Sequence, residues 1–257
     1  PVSMEQARVW YGRAAEQGHA LAQCSLALMH REGHGGPVSM EQARVWYGRA
    51  AEQGYAQAQN NLALMHYNGE GGPVSMEQAR VWYGRAAEQG YAPAQNNLAL
   101  MHYNGEGGPV SMEQARVWYG RAAEQGHAKA QNNLGVMHRE GKGGPVSMEQ
   151  ARFWYGRAAE QGDVQAQFGL GQMHYMGQGG PASSEHAIFW LKRAAAQGHD
   201  IAVLAVQDME STCFLCGKRH ASGELNMKKC MVCKCAIYCS RKCGVSHWKK
   251  DGGHKTM

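Results

Sequence analysis

The chain has 257 residues, of which 18% are charged and 44% apolar, and its formal net charge is +5. That mixture excludes wholesale disorder. The lack of any run of about 18 apolar residues excludes a bilayer-crossing helix. The opening Pro-Val-Ser-Met-Glu-Gln shows neither the basic start nor the apolar core of a signal peptide. The chain begins at Pro1 rather than at a methionine, so it is expected to be a fragment of a longer protein.

The first two hundred residues are governed by an internal repeat. The phrase Pro-Val-Ser-Met-Glu-Gln-Ala-Arg begins at Pro1, Pro37, Pro73, Pro109 and Pro145, a period of 36, and a drifted copy begins at Pro181. The units at 37–72 and 73–108 differ at one place, Gln57 against Pro93. Each unit reads as two helices. Ser3 and Gln6 have the spacing of a capping box, in which each side chain closes one orphan amide. Ala7, Trp10, Tyr11, Ala14 and Ala15 follow the spacing of one buried helical stripe, and Gly18 is placed to end that helix in a left-handed conformation. Ala22, Leu26 and Met29 mark the stripe of a second helix. Gly33, Gly35, Gly36 and Pro37 stop it and turn the chain into the next unit. Pro93 falls in a first helical turn, where proline is tolerated.

A helix pair of this length cannot bury its own apolar face, but stacked pairs share a continuous core. The predicted fold is therefore all-α, an α/α solenoid of 36-residue helix pairs. Ala27, Ala63, Ala99, Gly135 and Gly171 are the small residues that let neighbouring helices approach closely. The Trp-Tyr pairs at 46–47, 82–83, 118–119 and 154–155 fill the spaces between. The string Ala-Arg-Val-Trp-Tyr-Gly-Arg-Ala-Ala-Glu-Gln-Gly-Tyr-Ala-Gln-Ala-Gln-Asn-Asn-Leu-Ala-Leu-Met-His-Tyr-Asn-Gly-Glu-Gly at 43–71 resembles Sel-1-like repeats, relatives of the tetratricopeptide repeats. In that family a unit starts with the helix that carries Leu26. The resemblance therefore implies that this chain opens on a second helix without its partner, leaving Trp10 and Tyr11 partly uncovered. His30, His66, His102, His138 and His174 stand where the family often has an aromatic residue. Neighbouring helix axes lie about 8–10 Å apart, too far for these histidines to close on one metal ion, so a structural or surface role is expected. Cys24 reads as an ordinary unpaired thiol. Taking Ala22, Leu26 and Met29 as inward, the opposite side carries Asn60, Asn96, Asn132 and Phe168, then Arg31, Tyr67, Tyr103, Arg139 and Tyr175. Such a composition reads either as a recognition surface or as packing against adjoining units.

From Cys213 the text changes. Seven of the eight cysteines lie within 213–243, and residues 213–257 carry +8 against −3 for the remainder. Two domains follow, 1–210 and 211–257. The second contains C-x-x-C at Cys213 and Cys216 and again at Cys230 and Cys233, then Cys239, Cys243 and His254. A cysteine pair separated by two residues grips one zinc ion from a tight turn. These are too many ligands for one ion, so two Zn2+ sites are expected. No export signal accompanies the cysteines, which points to metal in a reducing compartment, cytoplasm or nucleus, rather than disulfides. The series resembles the MYND zinc finger over 213–257, including Tyr238-Cys239-Ser240, Trp248 and His254-Lys255. That resemblance implies a cross-brace in which one ion takes Cys213, Cys216, Cys239 and Cys243. The other takes Cys230, Cys233, His254 and a cysteine at a place 258 beyond this chain, so the second site is expected to be incomplete. Cys235 reads as a spare thiol, and Cys235, His220 and His247 are the substitutes within reach. Gly244 departs from the glutamine frequent beside the family's peptide groove, and the segment 234–240 is expected to be short and extended.

No nucleophile–base pair, phosphate loop or open metal position is visible, so the chain reads as no enzyme. The two resemblances imply a scaffold or adaptor that docks partner proteins or short peptides, with no membrane and no small-molecule substrate. The alternatives are a nucleic-acid-associated regulator using the basic finger, and a ubiquitin-ligase-like or methyltransferase-associated subunit.

Overall fold

Each 36-residue phrase folds into two antiparallel helices because its signals agree at every boundary. The computed structural model describes residues 3–211 and, beyond them, the backbone of residues 228–229 and 237–238. In chain order the helices are α1 (Met4–Glu16), α2 (Ala20–Glu32), α3 (Met40–Glu52), α4 (Ala56–Asn68), α5 (Met76–Glu88) and α6 (Ala92–Asn104). They continue as α7 (Met112–Glu124), α8 (Ala128–Glu140), α9 (Met148–Glu160), α10 (Val164–Met176), α11 (Ser184–Ala196) and α12 (Asp200–Ser211). Strand β1 (Lys228–Lys229) pairs antiparallel with β2 (Ile237–Tyr238). Among the described residues no helix is long and apolar enough to cross a membrane.

The capping expectations hold. Ser3 and Gln6 form a reciprocal capping box on α1, and Ser39, Ser75 and Ser111 each accept from the amide three residues on. Gly18 has a φ of +92° just past α1, and Pro93 sits in the first turn of α6. Second helices end on a left-handed glycine, such as Gly69 at φ +73°, whose amide returns to the Met65 carbonyl.

Packing divides the chain into two compact units, Pro1–Arg157 and Ala158–Met257. In the first unit, Tyr47 shares a core with Cys24 and Ala27 of α2 and with Leu62 and Met65 of α4. Tyr83 repeats this with Ala63, Leu98 and Met101, and Tyr119 with Ala99, Leu134 and Met137. Tyr47 is 0% exposed. Burying an aromatic side chain contributes about 2–3 kcal/mol, more than any polar contact described below. The small residues do what their size implies. A Cβ on Gly135 would stand 2.9 Å from the Tyr155 ring. In the second unit, one on Gly171 would stand 2.8 Å from Leu191, which joins Ala194, Ala202 and Val206 in a core.

The turns between helix pairs are built around an arginine. Arg44 of α3 sends its Nη2 to Nδ1 of His66 at 2.7 Å and its Nη1 to the Glu70 carbonyl at 3.4 Å. The same histidine's carbonyl accepts from the Ser75 amide at 2.9 Å, fixing the start of α5. Arg8, Arg80 and Arg116 meet His30, His102 and His138 at 2.6, 2.7 and 2.8 Å. The expected structural role of these histidines is thereby given a partner. A guanidinium has no lone pair, so each Nδ1 accepts and each ring is neutral. The two glycines of the turn serve different needs. Gly72 leaves room for the Arg44 guanidinium, whereas Gly71, at φ +67°, lies against the Met40 carbonyl, where a Cβ would collide.

Two outcomes test this account. Gly71→Ala must both adopt a left-handed backbone and displace Met40, and is expected to cost roughly 2–4 kcal/mol. Gly54→Ala, at φ +88° with open space around its Cβ, should cost only about 1 kcal/mol. Denaturant melts of the two variants give the comparison, and equal losses would contradict it. The second outcome concerns pH. Burial, and then the facing Arg8, Arg44, Arg80 and Arg116, hold His30, His66, His102 and His138 below their ordinary value of 6.5. The unfolded chain therefore takes up protons first, and the stability tied to these rings is whole above pH 6.5 and lost as pH falls through their lower folded values. Helix melts followed by circular dichroism should show a lower midpoint at pH 5.5 than at 7.5. Changing the four histidines to glutamine should flatten that difference.

Candidate protein-interaction surface

The side of the second helices expected to face outward is largely occupied by the fold itself. Asn60 and Asn96 are buried, at 9% and 8% exposure. Asn97 donates to Asn60 at 3.3 Å and Asn133 to Asn96 at 3.5 Å. This corrects the assignment of those two places to an outer face. α4 packs against α3 on one side and α5 on the other, so it has two buried faces where a single stripe was read. The places of Arg31, Tyr67 and Tyr103 are likewise engaged with the next unit. Arg31 pairs with Glu70 at 3.0 Å, and the Tyr67 hydroxyl donates to Glu106 at 3.1 Å. Lys142 donates to the Tyr103 hydroxyl and sits 4.7 Å from its ring centroid. Of the two readings of this ladder, packing between units describes these residues. Tyr175 at the same place is exposed, and Phe168 stacks on His199 with centroids 4.3 Å apart.

A second polar series was not foreseen. Gln59 of α4 is buried and donates at 3.0 Å to the Ala51 carbonyl at the end of α3, which also accepts from the Gly54 amide. Its own oxygen accepts from Gln89 at 2.7 Å. Gln23 and Gln95 repeat the arrangement with Gln53 and Gln125. The signal available in sequence was the recurrence of these glutamines at the 36-residue period. Their burial could not be read from polarity.

What remains open to solvent recurs on the first helices. Arg49 lies over Trp46 at 4.4 Å, and Arg85 over Trp82 and Arg121 over Trp118 each at 4.5 Å. The tryptophans are half-buried, the arginines exposed, and beside them Val45, Val81 and Val117 are each close to half exposed. An exposed cation–π pair is worth about 0.5–1 kcal/mol, so these stacks orient the arginines more than they hold the fold. Trp and Arg are the residue types that dominate protein interfaces, and they stand here once per unit with an apolar neighbour.

Cys24 is buried and free, and burial pushes its thiol up to about 11. That is the opposite of an activated nucleophile. Among the described residues no three metal-binding side chains converge. The expected ligands Cys213, Cys216, Cys230, Cys233, Cys239, Cys243 and His254 lie outside the described residues. So do Cys235, His220, His247, Gly244 and Trp248. The described backbone nearby is the β1–β2 ladder, with Lys228 opposite Tyr238 and Lys229 opposite Ile237. It places β2 inside the segment expected to be extended. In sequence Cys230 follows β1, Cys239 follows β2, and the intervening stretch carries Cys233 and Cys235. By its chemistry, a donor set of cysteine thiolates and a histidine imidazole fits zinc.

Comparison with known proteins agrees with both halves. The Sel1 repeat model matches residues 1–19, 20–55, 56–91, 92–127, 128–163 and 164–199, and the MYND finger model matches 213–257. The matched units begin at the second helices, in the phase the resemblance implied. A protective antigen of uropathogenic Escherichia coli strains, displaying an SLR fold, is 33% identical with a TM-score of 0.80. The alignment covers 85% of this chain and 46% of the antigen. A Sel1 repeat protein from Oxalobacter formigenes is 35% identical with a TM-score of 0.74, over 80% of this chain and 60% of that protein. A Sel1 repeat protein from Klebsiella pneumoniae, at 23% identity and a TM-score of 0.50, covers 79% of this chain and 98% of its own, and shows the fold alone. The chain thus spans about half the length of the first of these relatives and three-fifths of the second. No curated protein sequence matches it. Six matched repeats covering most of the chain settle the family: this is a member of the Sel1 repeat family that carries a MYND finger after its repeats.

Proposed function

We propose that the chain is a non-enzymatic scaffold that holds partner proteins through its repeats and docks peptides on its zinc finger. The observation that carries this reading is the recurrence, in successive units, of an exposed arginine stacked on a half-buried tryptophan beside a valine that is close to half exposed. A protein partner meets the same chemistry several times, and linked weak contacts gain roughly 10²–10⁴ in avidity when geometry allows. In the finger, Cys213, Cys216, Cys239 and Cys243 would hold one zinc ion, and Cys230, Cys233 and His254 would supply most of a second site. The metal's contribution is structural, fixing a module too small to build a core of its own. The +8 of residues 213–257 offsets the negative charge of thiolate-rich sites, and a cytoplasmic or nuclear setting keeps those thiols reduced.

Two measurements test the proposal. Partners recovered by the intact chain from its source extract should be lost, about tenfold or more, when Arg49, Arg85 and Arg121 are changed together to glutamate. These side chains are exposed, so helix content should not change. Recovery of the same partners by that variant would sink the repeat-surface reading. Zinc bound per chain should fall by about one ion in Cys213→Ser without loss of helical signal. An unchanged metal content would remove Cys213 from the ligand set.

A further inference from the structure

The units at 37–72, 73–108 and 109–144 each carry two arginines on the first helix, and the fold uses only one of them. Arg44 closes its turn through His66 and the Glu70 carbonyl. Arg49 lies over Trp46 at 4.4 Å, and among the described residues its side chain has neither a carboxylate nor a hydrogen-bond acceptor as partner. The division recurs, with Arg80 engaged and Arg85 unpaired, then Arg116 engaged and Arg121 unpaired. An indole under one face holds a guanidinium in place while its N–H groups stay free to meet a carboxylate as a planar fork. Less side-chain entropy is then lost on binding than by an arginine free in solvent.

The spacing of this row follows from the packing. Trp82 packs against the cores around both Tyr47 and Tyr83, and Trp118 against those around Tyr83 and Tyr119. Helices α3, α5 and α7 are therefore neighbours along the array, and packed helices lie about 8–10 Å apart. A polyproline-II chain turns once in three residues and rises about 9 Å in doing so. It thus returns a side chain to the same face once per unit. A β-strand does not, since two residues advance only about 6.7 Å and a third points to the opposite face. An α-helix reaches this spacing in about seven residues, but it lies on a broad apolar stripe. Beside each of these arginines the first helix exposes a single valine, Val45, Val81 or Val117, next to a half-buried tryptophan. That is too narrow for a helix and wide enough for an extended chain.

Charge narrows the partner further. The unit at 37–72 sets Arg44 and Arg49 against Glu41, Glu52 and Glu70, a net of −1 with histidine neutral. Glu52 is exposed one turn beyond Arg49. A continuous polyanion such as single-stranded nucleic acid meets that glutamate in every unit. Carboxylates separated by neutral residues can meet the arginines and stay clear of it. We infer that Arg49, Arg85 and Arg121 bind a polyproline-II segment of a partner protein that carries a carboxylate at every third residue, with prolines against the tryptophans and valines. The inference rests on the reading of the Trp–Arg stacks as a partner-binding surface, and it names the occupant.

The probe is a labelled peptide of four Glu-Pro-Pro triplets, titrated into the full chain and followed by fluorescence anisotropy. Saturable binding is expected, and a peptide of the same composition with its glutamates in one block should bind about tenfold more weakly. Arg49→Gln, Arg85→Gln and Arg121→Gln together should weaken the periodic peptide about tenfold or more. The corresponding lysine variant should fall between, because it keeps the charge and loses the fork. These side chains are exposed, so circular dichroism should show both variants folded. Equal binding of the two peptides, or binding indifferent to the glutamine changes, would overturn the inference. So would tighter binding of a single-stranded oligothymidylate that needs the same three arginines. If the peptide fails to bind while partners from the source extract still depend on these arginines, the scaffold reading stands and this inference alone is wrong.

Discussion

The architecture of the first unit depends on one contact repeated at four turns, a guanidinium held between a histidine ring and the backbone of the loop that follows it. Arg44 belongs to α3, His66 to the last turn of α4, and the Glu70 carbonyl to the turn leading into α5. Three consecutive elements are thus fixed relative to one another by a single side chain. The helix C-terminus contributes as well, because its unpaired carbonyls favour a cation nearby. Hydrophobic burial supplies most of the free energy, but it is non-directional. The arginine and the glycines that make room for it set the angle at which the next pair departs, and so decide that successive tyrosines meet successive alanines.

Much of this was legible in sequence because each helix pair announces its own ends. Ser at the N-cap, Gly past the C-terminus and a three-four spacing of Ala, Leu and Met were enough to place twelve helices among the described residues. The close-approach role of Gly135 and Gly171 was also readable, since only their size was at issue. What escaped were the side-chain contacts made to backbone carbonyls and those on a second buried face. Arg44 on an amphipathic helix looks like a solvent-facing charge, and nothing in the pattern reveals that carbonyls wait for it. Asn60 looked outward because α4 was read with one apolar stripe. A helix sandwiched between two neighbours buries about two stripes, and in this protein the second is made of alanine and amides.

That second stripe explains why the polar residues between units are specific rather than costly. A buried amide left unpaired loses about 1–3 kcal/mol, yet Gln59 meets a helix-end carbonyl on one side and Gln89 on the other. The chain places its amides at helix-end carbonyls that have a second lone pair to share, as the Ala51 carbonyl does after accepting the Gly54 amide. The outer pairs, Arg31 with Glu70 and Tyr67 with Glu106, are partly solvated. Pairs of that kind contribute at most about 1 kcal/mol each. Their effect is registration: they vary from junction to junction, whereas Tyr47, Tyr83 and Tyr119 with Ala27, Ala63 and Ala99 beneath them do not.

Near-identity between units has a consequence for recognition. When the units at 37–72 and 73–108 differ at one residue, their Trp–Arg stacks cannot be told apart by a partner that touches only one of them. In the proposed scaffold, selectivity must come from spacing and from the places where the copies diverge. Divergent places include Leu21 against Gln57 and Lys129, Arg31 against Tyr67, His34 against Glu70 and Lys142, and Phe153 against Val45, Val81 and Val117. A uniform array supplies affinity through repetition, and its irregular positions supply direction by distinguishing one stretch of the array from another.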